Sequence, residues 1–149
     1  MKYQVLVVLS VLVGILLLTA CGAPAGYNAQ DVVDAFRVAG LEVEGVKTIP
    51  VTKANFGLCP MYAIAAVDFE IPSVCLGPQT ISCGARVFVF AASDKAGLEK
   101  TRDFFAAIGK SSAMFFTWLL IHDNILVEMS GDVPEAKVKQ YQDALDSMK

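Results

Sequence analysis

One histidine, four cysteines and three close-set acidic pairs are the side chains of this 149-residue chain best suited to build a reactive centre. His122 is the sole histidine, so a Ser-His-Asp triad or a histidine-bearing metal site would have to use it. A metal would need further ligands at short spacing, and only Asp123 stands beside it. No Gly-x-Ser-x-Gly segment supplies a nucleophile for it to activate. His122 therefore reads as a residue of an exposed hairpin turn. The acidic pairs are Asp31/Asp34, Glu42/Glu44 and Asp68/Glu70. Asp68 and Glu70, two apart on a strand, share a face at a separation of about 7 Å. That is near enough to hold a cation or to divide acid and base roles. Their alternation with Val67, Phe69 and Ile71 equally fits the wet face of a sheet. Neither a Gly-x-Gly-x-x-Gly segment nor a P-loop occurs to cradle phosphate. No catalytic residue, cofactor or metal ligand is expected.

The cysteines divide by context. Cys75 and Cys83 bracket one loop between two strands and are the pair expected to bridge in an oxidising compartment. Closing a ring of about nine residues would constrain the unfolded chain by about 2–3 kcal/mol. Cys59, before Pro60, is left over. It is a small buried apolar residue, a reactive or metal-binding thiol, or a competitor that pairs with Cys75 or Cys83 instead. The absence of Cys-x-x-Cys from the sequence argues against a thioredoxin-type role.

Cys21 ends a different kind of segment. Met1-Lys2-Tyr3-Gln4 carries one positive charge, and from Val5 to Leu18 only Ser10 and Gly14 interrupt an aliphatic run. Fourteen residues suit a signal peptide, whereas spanning a bilayer takes about 20. The run closes on Leu18-Thr19-Ala20-Cys21, followed by Gly22. This resembles a bacterial lipobox. The resemblance implies that residues 1–20 are removed and that the Cys21 thiol carries diacylglycerol, with membrane lipid as its first partner. Acyl chains contribute roughly 0.8 kcal/mol per buried methylene, so two or three hold a protein firmly on a bilayer. Residues 21–28, rich in Gly, Ala and Pro, read as a short lipidated tether.

Behind the tether, residues 29–149 read as one domain. Asn28 is a plausible cap for a helix over 29–39, stopped by Gly40. Residues 43–51 and 62–71 read as strands flanking an irregular stretch. Arg86-Val87-Phe88-Val89-Phe90-Ala91 is apolar on both faces and suits a central strand. Ser93 opens a helix to about Ile108, ended by Gly109. Phe115–Ile121 and Ile125–Met129 pair around His122-Asp123-Asn124, and Asp132 caps a helix with Pro134 in its first turn. The order α-β-β-β-α-β-β-α predicts an α+β fold: a two-layer sandwich of one mainly antiparallel sheet of about five strands with about three helices. If helices cover one face alone, the other is open. The alternating Phe116, Trp118 and Leu120 are then the candidate binding face, although a buried central strand explains them too.

Gly84–Phe90, Phe115–Trp118 and Asn124–Glu135 look similar to small bacterial lipoproteins of unassigned function, a resemblance that implies a surface domain and no catalytic residue. Composition agrees with a folded, non-nucleic-acid-binding body: 55% hydrophobic, 18% charged and a net charge of −3, against the basic excess of nucleic-acid binders and the low hydrophobicity of disorder. The expectation is a lipid-anchored protein on the extracytoplasmic side of the cell membrane or outer envelope, non-catalytic, binding an envelope protein or small ligand. The alternatives are an envelope enzyme or redox protein using Cys59 or Asp68 with Glu70, and a structural component with no discrete ligand.

Overall fold

The structure, a computed structural model, describes residues 26–57, 59–60, 62–75 and 83–149. The signal segment, Cys21 and most of the tether lie outside the described residues. The elements run α1 (Ala29–Val38), β1 (Glu44–Thr48), α2 (Lys53–Phe56), β2 (Ala65–Glu70), β3 (Gly84–Val89), α3 (Lys95–Ser111), a single 3-10 turn (Ala113–Phe115), β4 (Thr117–His122), β5 (Ile125–Ser130) and α4 (Glu135–Asp146). The strands form one antiparallel sheet in the order β1-β2-β3-β5-β4. This is an α+β fold with four helices among the described residues, one more than the sequence suggests, because the four-residue α2 is too short to show a helical period.

Local chemistry sets the helix ends. Asn28 accepts from the Gln30 and Asp31 amides while Asp31 accepts from the Asn28 amide, closing a reciprocal cap on α1. Leu41 N–H bonds back to Phe36 O beyond Gly40 and stops it. Three ends differ from expectation. Asp94 rather than Ser93 caps α3, accepting from Gly97 N–H at 2.9 Å, and α3 runs through Gly109 to Ser111. The residue preceding α4 is Pro134, which offers no capping side chain, so Asp132 belongs to the turn before it.

Alternation along the strands assigns the two faces. The first face presents Phe69, Ala85, Val87, Val89, Ile125, Val127, Met129 and Leu120, buried beneath α1 and α4 with Val32, Val33, Phe36, Tyr141 and Leu145. Phe36, Phe69 and Tyr141 pack with ring centroids 5.0–6.3 Å apart. The Tyr141 hydroxyl donates to Glu42 O at 2.6 Å, which gives the phenol a partner in an apolar setting. The second face presents Ala66, Phe88 and Leu126, covered by α2 and α3 through Phe56, Leu98, Phe104 and Phe105. So the second face is not left open along its length. Helix α3 closes the half around Phe88 and Leu126, and the half around Asp68 and Arg86 stays uncovered. The central β3 is apolar on both sides because it has helices on both sides.

The chain enters the domain at the β4–β5 turn. Asp123 takes a left-handed φ of 47° there, which a short acidic side chain tolerates. That turns the Asn124 side chain inward, where it accepts from Tyr27 N–H at 2.8 Å and donates to Tyr27 O and Phe90 O at 2.9 Å each. Asn124 is 7% exposed, so removing its amide orphans buried backbone groups. Asn124→Ala is expected to lower unfolding free energy by about 2–3 kcal/mol and to speed hydrogen exchange at Tyr27, checked by urea titration and amide exchange. A loss below about 0.5 kcal/mol with unchanged exchange would show that the clamp holds nothing.

Candidate functional site

The uncovered half of the second face is a cleft of about 400 Å³ whose lining includes Lys47, Asp68, Glu70, Gly84, Arg86, Thr117, Glu128 and Ser130. Strand register builds it. Asp68 lies opposite Arg86, and Arg86 opposite Glu128, so β2, β3 and β5 each contribute one charge to a single row. Two residues along, on the same face, Glu70 faces Gly84. A Cβ at Gly84 would fall 1.8 Å from Phe69 O, so only glycine fits this floor. On β1, Glu44 pairs with Glu70 but Lys47 pairs with Asp68, and the surplus residue is absorbed by a bulge with Gly45 at a φ of 57°. The bulge brings Lys47 to the rim, 3.9 Å from Glu70 and well exposed.

Arg86 is fixed from two directions. Nε donates to Asp68 Oδ1 at 2.5 Å and Nη2 to Oδ2 at 2.8 Å, a bidentate pair about two-thirds buried on each side. Its guanidinium carbon sits 4.9 Å from the Phe56 ring centroid and 6.0 Å from that of Phe88. The hydrogen bonds to Asp68 raise its pKa further, so it remains charged.

Glu128 has no such fixed partner: the ion pair that Arg86 makes among the described residues is with Asp68. Burial pushes the Glu128 carboxyl up to about 7; Arg86 pulls it down and Asp68 pushes it up, both by less. Cys59, buried behind the same row, has its thiol pushed up to about 11, first by burial and then by Glu128. A thiol held protonated is a poor nucleophile. Cys59 thus packs with Phe56 and Phe88 as a small apolar residue. Thr117 stands diagonally across from Glu128, and its hydroxyl is buried with no hydrogen-bond partner among the described residues.

The disulfide between Cys75 and Cys83 closes one end of the cleft, Cys83 forming part of the lining. Ile71 N–H bonds to Cys83 O, so the bridge ties the exit of β2 to the entry of β3.

The remaining candidates from the sequence fall elsewhere. Phe116, Trp118 and Leu120 do not form an open binding face. Leu120 is buried beneath the helices of the first face, and half-buried Trp118 donates from Nε1 to Val133 O at 3.0 Å. Phe116 alone is exposed, edge-on to Trp118. Edge strand β4 has helices against both of its sides, which the alternation could not reveal. Asp68 and Glu70 line one cleft but do not act as a pair, since Asp68 is engaged by Arg86 and Glu70 faces Lys47. His122 is not an exposed turn residue: it ends β4 with a side chain 18% exposed, its ring 5.3 Å from that of Tyr27. Among the described residues no group of three or more His, Cys, Asp or Glu is placed to hold a metal. Arg86 and Glu128 are the residues sequence reading passed over. Their signal was a lone charge two positions from a large apolar side chain, Arg86 before Phe88 and Glu128 after Leu126.

No protein-family model, curated protein or solved structure matches the chain.

Folding raises the Glu128 carboxyl above its unfolded value of 4.5. The native state therefore binds this proton more tightly, and the associated stability is present below about pH 4.5 and lost as pH rises through 7. Relative to Glu128→Gln, the wild-type protein is expected to lose about 1–3 kcal/mol between pH 5 and pH 8. Urea titrations of both proteins at both pH values check this; parallel pH profiles would contradict it.

Proposed function

We propose that the protein is a lipid-anchored, extracytoplasmic domain that binds a small ligand without transforming it, in the cleft between Asp68, Arg86 and Glu128. The observation that carries the binding half of this reading is the fixed row: Asp68 locks Arg86 over the Phe56 ring, so the Glu128 carboxyl beside it lines a ready-formed cleft with no ion-pair partner among the described residues. Anchoring rests on Leu18-Thr19-Ala20-Cys21 after an aliphatic run, and export is supported by the Cys75–Cys83 disulfide, which suits an oxidising compartment. No helix among the described residues is long and apolar enough to cross a membrane. The layout suits a tethered binder. Asn124 holds the chain entry at the start of β5, while Glu128 and Ser130 lie toward its other end.

An acid–base enzyme is the second reading, and Glu128, ionising near neutrality beside a fixed guanidinium, is the observation that favours it. A redox or thiol enzyme finds less support, because Cys59 is buried and held protonated. Asp68 with Glu70 finds less as well, each carboxylate having a basic partner.

Cys21→Ser tests the anchor. The wild-type protein is expected to sediment with membranes and to carry a diacylglyceryl mass on an N-terminal Cys21. The variant is expected to be released or to keep residues 1–20. Fractionation and intact mass spectrometry read both, and unchanged processing with unchanged membrane retention would overturn the lipoprotein reading.

A further inference from the structure

The charges in the cleft are not evenly matched. Arg86 engages both oxygens of Asp68, and Lys47 faces Glu70 at the rim. Glu128 is the lining carboxylate that has no cation in ion-pair contact among the described residues. The groups facing it are Arg86 from β3, Asp68 from β2 and the Cys59 thiol from the segment after α2. Strand β4 offers Leu119 opposite and Thr117 on the diagonal, neither of which titrates. The Glu128 carboxylate thus lines the cleft as an acceptor in want of a donor.

Three ligand classes compete for such a wall. An anion would have to lie against Glu128 and Asp68 with the Nε edge of Arg86 already occupied. A hard divalent cation seeks six or more oxygen ligands, and no such ligand group is assembled among the described residues. A primary ammonium brings one positive charge and three donors, which fits a lone carboxylate.

Resting on the reading that this cleft is the ligand site, we propose that its ligand is a small organic cation bearing a primary ammonium group, held by the Glu128 carboxylate. The cleft volume of about 400 Å³ suits a small molecule. The amine arrives as –NH3+, and Glu128 releases its own proton to solvent when it accepts the ion pair. Binding therefore strengthens as pH rises through the range in which Glu128 ionises. The ionised share of an acid titrating near 7 goes from about one-tenth at pH 6 to about nine-tenths at pH 8, so affinity is expected to rise about tenfold.

The test is amide NMR on the full chain in detergent micelles, titrated with n-propylammonium chloride or with sodium propionate at matched ionic strength. Propylammonium is expected to shift Gly84, Arg86, Thr117 and Glu128 saturably, about tenfold more tightly at pH 8 than at pH 6. Glu128→Gln, nearly isosteric with the protonated acid, is expected to abolish those shifts. Saturable cleft shifts with propionate and none with propylammonium would overturn the ligand class and leave the cleft as the binding site. Shifts with neither probe would overturn both. Propylammonium binding to Glu128→Gln as to the wild type would overturn the role given to Glu128.

Discussion

The bidentate ion pair between Arg86 and Asp68 organises the uncovered half of the sheet. A guanidinium on a central strand is costly to bury unless its hydrogen bonds are met. Here two of its donors are taken by one carboxylate and its central carbon lies over the Phe56 ring. With Arg86 committed in that direction, Glu128 on the following strand is left buried beside a cation it does not share, and its carboxyl rises toward neutrality. The same pair marks where the apolar packing of the second face stops. Phe88, two residues beyond Arg86, lies beneath α3, whereas Gly84, two residues before it, forms the floor of the cleft. The boundary between core and site is thus one strand turn wide.

The rest of the fold keeps that boundary still. The first face is a continuous apolar layer under α1 and α4, with Phe36, Phe69 and Tyr141 meeting across three elements, so β2 and β3 cannot rotate Asp68 and Arg86 apart without disturbing the core. The disulfide joins the ends of β2 and β3 next to the cleft, and Asn124 holds the chain entry at the far end of β5. A site fixed by strand register and supported from behind in this way is suited to recognition more than to motion.

Much of this was legible in local patterns. The cap at Asn28, the stop at Gly40, the alternation in β2 and the tight turn before Ile125 each depend on a few adjacent residues, and the structure contains them all. The pairing of Cys75 with Cys83 followed from their position around one loop. The cleft was not legible, because it depends on register between strands distant in sequence. Asp68, Arg86 and Glu128 are 18 and 42 positions apart and carry no joint motif. Asp68 with Glu70 had the right face and the wrong partner, since proximity along a strand says nothing about which cation sits across it. The alternation of Phe116, Trp118 and Leu120 identified a strand but not its surroundings; that β4 is covered on both sides is set by α3 and α4, neither of which adjoins it through a pattern readable in its own residues. Helix α3 continues past Gly109, alongside which Phe116 lies, despite the weak helix preference of glycine.

The measurement that bears most directly on this account is a carbon-detected NMR titration of the Glu128 side-chain carboxyl, assigned by its loss in Glu128→Gln. A midpoint near 7 is expected, as burial beside a guanidinium already held by Asp68 requires. A midpoint in the ordinary glutamate range, about 4 to 5, would mean that Glu128 is solvated or directly paired with Arg86, and the cleft as described here would not exist.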